Sequence, residues 1–140
     1  MNWFFWAFLS ACFAALTAIL AKVGVEHINS NLATAIRTTV ILVFTWGIAF
    51  ATGGVPQLVS IAPRTWWFLA ASGIATGLSW LCYFRALQLG DVAKVAPVDK
   101  LSVAIAIVLA VIFLREKLSP QETVGAALVV IGVVVMVVKF

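Results

Sequence analysis

Long apolar runs separated by short polar joints organise this chain from end to end. A helix that rises about 1.5 Å per residue needs roughly 20 apolar residues to cross a hydrocarbon layer about 30 Å thick. Five stretches have that length and character: 3–21, 32–51, 66–89, 92–114 and 123–138. Each is predominantly apolar, where the helix of a soluble domain would be apolar along one stripe. Lipid accepts such a helix, because its backbone groups are satisfied internally. The expected fold class is therefore all-α, a polytopic membrane protein with five transmembrane helices. The first run has no basic leading segment and continues nearly unbroken to Lys22. A signal-peptide core is usually about 7–15 residues, so this run reads as the first span.

The joints carry turn and capping chemistry. Gly24 to Asn31 closes the first, with Ser30 or Asn31 expected as N-cap of the second helix. Thr52-Gly53-Gly54-Val55-Pro56 is a turn cluster, and Pro63 precedes the third helix. Gly90-Asp91 forms the third joint. In the fourth, Arg115 to Pro120, Ser119 is placed as N-cap, Pro120 as the first helical residue, and Glu122 completes a capping box. No joint can hold a separate soluble domain, so residues 1–140 read as one domain.

Composition agrees with this picture. Of the 140 residues, 64% are hydrophobic and only 10% are charged. A globule of this size could not hide so much apolar surface. The net charge of +4 is too thinly spread to make a nucleic-acid surface. Trp3, Trp6, Trp66 and Trp67 fall near span ends, as an interfacial aromatic belt requires, whereas Trp80 and Tyr83 sit deeper. Small residues recur every fourth position at Ser10, Ala14 and Ala18 and at Gly73 and Gly77, with Ser72 and Thr76 beside the glycines. Such stripes let helices approach closely, or leave room for a solute.

Several charges lie inside the spans. With the N-terminal side called A, the first and third joints fall on side B. Arg37, Arg85, Asp99 and Lys100 then all lie in the side-B half of the membrane. A charge in hydrocarbon costs about 2.5–3.5 kcal/mol on insertion scales. Gathered together, the four could share water in a polar vestibule open to side B; separately, the arginines and the lysine could snorkel to the interface. Asp99 is too short to snorkel far, which makes it the leading coupling candidate. Pro97, with only Val98 between it and Asp99, is the helix-break candidate, since proline removes an amide donor. Near the span ends, side B carries Lys22, Arg85, Lys94 and Lys139, and side A carries Arg64, Arg115 and Lys117. That balance sets orientation weakly and leaves insertion in both directions open, whereas counting Arg37 and Lys100 makes it six against three in favour of side B being cytoplasmic.

Other chemistries lack their parts. Cys12 and Cys82 are expected as small buried thiols, and the single histidine, His27, as a solvated joint residue. One histidine and two intramembrane cysteines do not form a zinc set, and there is no phosphate-binding glycine loop. No cofactor, no metal and no enzymatic activity are expected.

The last three spans carry ordered motifs. These are Leu81-Cys-Tyr-Phe-Arg-Ala-Leu-Gln-Leu-Gly-Asp91, Val92-Ala-Lys-Val-Ala-Pro97, Phe113-Leu-Arg-Glu-Lys-Leu-Ser119 and the segment from Gly125 to Gly132. Their order resembles the EamA domain of the drug/metabolite transporter superfamily. Tyr83-Phe-Arg-Ala-Leu87 matches the family's Tyr-x-x-Ala-Leu stretch, and Arg37 matches an arginine often found in its second helix. Arg115 and Lys117 depart from the usual glycine and arginine of its Gly-Glu-Arg-Leu-like turn.

The resemblance implies one half of an inverted-repeat transporter, because most members join two five-helix units in opposite orientations. It implies an antiparallel homodimer or a second half-length partner, and transport of amino acids or other small metabolites. The four-helix relatives in the superfamily rely on a first-span glutamate, whereas 3–21 contains no acid; any proton coupling would then fall to Asp99.

The resulting reading is a secondary transporter of a small organic solute in the cell inner (plasma) membrane, working as a dimer. Arg37 and Lys100 would take an anionic group, Asp99 an amine or proton, and Trp80 and Tyr83 would form a wall. A non-transporting membrane scaffold and a channel are the alternatives.

Overall fold

The computed structural model describes residues 2–138. Lys139, counted above on side B, lies outside them. The described residues contain helices and no strand: α1 Trp3–Val25, α2 Ser30–Ala51, a short 3₁₀ helix Val55–Ser60, α3 Pro63–Leu89, α4 Val92–Asp99, α5 Leu101–Leu109 and α6 Pro120–Val137. A π-helical turn, Ala110–Leu114, extends α5. Taking 92–114 as one broken rod, five helices are long and apolar enough to span a membrane.

Capping chemistry sets several boundaries. Asn29, and not Ser30 or Asn31, caps α2: its Oδ1 accepts the amides of Asn31 at 2.9 Å and Leu32 at 3.4 Å. Its extended backbone frees that side chain, while Ser30 is already helical and buried. Pro63 is itself the first residue of α3, where its missing amide costs nothing. Ser119 and Glu122 form the expected capping box of α6, with Pro120 at the start. Within the spans, Thr34, Thr38, Thr39, Thr45 and Thr76 each return the hydroxyl to the carbonyl four residues back, which pairs those polar atoms inside their own helices.

The chain divides into two compact units at Leu89/Gly90. In the first, α3 packs against both α1 and α2. Its core lies toward the end shared by the C-termini of α1 and α3 and the N-terminus of α2. Val25 and Leu87 are fully buried there, among Ala21, Ser30, Ala33, Thr34 and Phe84. In the second unit, α4 and α5 pack along α6, which buries Val133. Elsewhere the helices present apolar side chains outward; Trp3 and Trp67 keep more than three-quarters of their surface free. Cys12 and Cys82 correct the expectation of burial, for both lie on outward faces. Predominantly apolar helices give no sign of which side turns inward.

Candidate functional site

The first unit contains a cleft of about 340 Å³ near its packed end. From α1 come Thr17, Leu20, Ala21 and Gly24; from α2, Ala33, Ile36 and Arg37; Ile28 of the joint and Phe84 of α3 complete it. The volume is at the lower end of the roughly 300–1,000 Å³ usual for small-molecule sites. Its lining is apolar apart from the Thr17 hydroxyl and the Arg37 guanidinium, and it contains no acid.

Arg37 stands two turns into α2, at a height fixed by the Asn29 cap. Its Cζ lies 4.4 Å from the ring centroid of Trp80 and 5.4 Å from that of Phe84. Trp80 and Phe84 are four residues apart on α3, so both rings share one helix face. A cation over an aromatic face gains about 0.5–1 kcal/mol when exposed and about 2 when desolvated. Tyr83 is within electrostatic range of the same guanidinium. Among the described residues Arg37 has neither an ion pair nor a hydrogen bond. Aromatic faces hold the charge without neutralising it.

Below the cleft, a polar clasp ties the unit's end together. The Lys22 ammonium donates to the Leu87 carbonyl at 2.8 Å, in the last turn of α3, where a cation is also favoured by the helix dipole. Gln88 Nε2 donates to the carbonyls of Val25 at 3.1 Å and Ile28 at 2.6 Å. Arg85 Nη1 donates to Gln88 Oε1 at 3.0 Å. Arg85 therefore supports the clasp and takes no part in the cleft lining.

In the second unit, the α4–α5 break falls at Lys100, three residues after Pro97. Pro97 has no amide to give the Ala93 carbonyl, and the Lys100 amide then closes a tighter bond, to Pro97 O at 3.0 Å. Lys100 Nζ pairs with Asp99 Oδ2 at 3.2 Å beside this break. Lys94 pairs with Asp91 at 3.2 Å at the exposed start of α4. Arg37, Trp80 and Tyr83 thus belong to the first unit, and Asp99 and Lys100 form a pair within the second. A further cleft of about 360 Å³, formed by Thr45, Trp46, Ala49, Thr52, Gly54, Val55 and Leu58, holds no ionisable side chain.

The sequence marks Lys22 only as a charge near a span end, and does not mark Phe84, Thr17 or Gln88. The four-residue spacing of Trp80, Phe84 and Gln88 on one face of α3 was the available signal.

The EamA-like transporter family matches residues 1–138. An uncharacterized transporter in the cobO 3′ region of a Sinorhizobium species is 54% identical over 137 residues, covering 98% of this chain and 97% of that one. No solved structure matches.

Proposed function

This chain belongs to the EamA-like transporter family, and from that premise we propose that it is a secondary transporter of a small organic solute. We place it in the cell inner membrane as an antiparallel homodimer, or paired with a second half-length partner. In this reading it carries out no covalent chemistry.

The observation that carries the proposal is the Arg37 cleft: a guanidinium inside a membrane-spanning helix, held by rings and free of any carboxylate among the described residues. Intramembrane ionisable groups are expensive and typically serve transport pathways. An arginine needed only for packing would be expected to carry a counter-ion, and among the described residues this one does not. Asp99 is the proposed coupling group, because it lies beside a helix break and α1 has no acid. Asp99→Asn then abolishes gradient-driven uptake while leaving assembly intact; unchanged uptake would remove Asp99 from that role.

The test is thermal melting of the purified protein against a broad panel of small organic solutes. A ligand that binds only the folded state at about 100 times its Kd stabilises by about 2.7 kcal/mol. Transport predicts that at least one solute class raises the melting temperature dose-dependently. A flat response across the panel would favour the scaffold reading.

A further inference from the structure

Resting on the transporter reading, we propose that the α1–α2–α3 cleft selects amphipathic monocarboxylates: small solutes with one carboxylate, an apolar body and no ammonium group. Arg37 brings the one charge in the lining and has no acceptor among the described residues. A planar guanidinium presents paired donors that match a carboxylate. Trp80 and Phe84 contact it through their rings, and no hydrogen bond among the described residues uses its donors, so these stay available for a solute.

The rest of the lining decides the remainder of the molecule. Leu20, Ile28, Ile36 and Phe84 offer apolar contact, and Thr17 is the single neutral polar group. The ammonium of a zwitterionic amino acid would have no carboxylate to meet in this cleft and would lose its hydration without return. A dicarboxylate would bury its second charge against aliphatic side chains. A volume of about 340 Å³ suits a body of one ring or a short chain.

The test uses three near-isosteric probes: phenylacetate, phenylacetamide and phenethylamine. Binding to the full chain is followed by tryptophan fluorescence and melting temperature in phosphatidylcholine nanodiscs, because displacement of the guanidinium from Trp80 alters that indole's surroundings. The expected result is phenylacetate binding at least about tenfold tighter than either other probe, the scale of one charge-assisted contact. Arg37→Gln abolishes the preference, and Arg37→Lys keeps part of it. If Arg37→Gln does not fold, the probe ranking on the unaltered protein decides by itself.

Equal binding of the amide, preference for the amine, or no phenylacetate binding would overturn the proposal. So would binding that Arg37→Gln leaves unchanged. If phenylacetate fails in phosphatidylcholine while phosphatidylglycerol stabilises the protein through Arg37, an anionic lipid is the occupant and the solute proposal falls. A cationic or neutral solute that stabilises the protein would sink the carboxylate class and leave the transporter reading standing. A wholly flat solute panel would remove both.

Discussion

Arg115 adopts φ 56° and ψ 32°, the only non-glycine residue with positive φ among the described ones. It closes the π-helical turn, where its own amide and that of Glu116 both reach the Ala110 carbonyl. An L-residue in this left-handed conformation costs about 1–2 kcal/mol, while glycine's greater freedom when unfolded takes back about 0.5–1. Arg115→Gly should therefore stabilise the protein by about 0.5–1 kcal/mol, read as a higher midpoint in chemical or thermal melting. A lower midpoint would mean that the arginine side chain earns its place there. The sequence marked this position, because glycine is usual in the family's turn; only the backbone supplies the reason. Arg37 was equally legible as a charge within a span, yet its ring partners lie on another helix, and no local pattern announces which rings face which cation.

Hydropathy located every span at the scale of elements, because lipid thickness dictates helix length whatever the tertiary packing. The ends were less legible. α1 continues through Lys22 to Val25 because Lys22 finds the Leu87 carbonyl, a contact made by a different span. The fourth span hides a break and a π turn, which change hydrogen bonding without changing hydropathy. Gln88 links elements in the same manner, holding the Val25 carbonyl and the Ile28 carbonyl of the α1–α2 joint. Removing the donor from the part-buried Val25 carbonyl costs about 1–3 kcal/mol, while the exposed Ile28 carbonyl can turn to water. Gln88→Ala should destabilise by that amount and speed amide exchange at the C-terminal turn of α1. Unaltered exchange there would show that water replaces the clasp at no cost.

For the molecule as a whole, the proposed inverted pairing rests on an odd number of spans and on a four-against-three split of the charges near the span ends. A single five-helix chain can reproduce an inverted pair only if two chains, or a chain and a partner, enter the membrane in opposite senses. The stripe at Gly73 and Gly77 meets no atom within 4 Å where a side chain would begin, so this part of α3 is open to close approach by a neighbour. Open space of this kind does not identify the neighbour, but orientation can. The most direct measurement fuses a protease-sensitive tag after Phe140 and treats sealed native vesicles from each side. Antiparallel homodimerisation predicts that protease from either side removes about half of the tag, in keeping with the near-balance of charges that sets topology. Complete cleavage from one side and none from the other would contradict it.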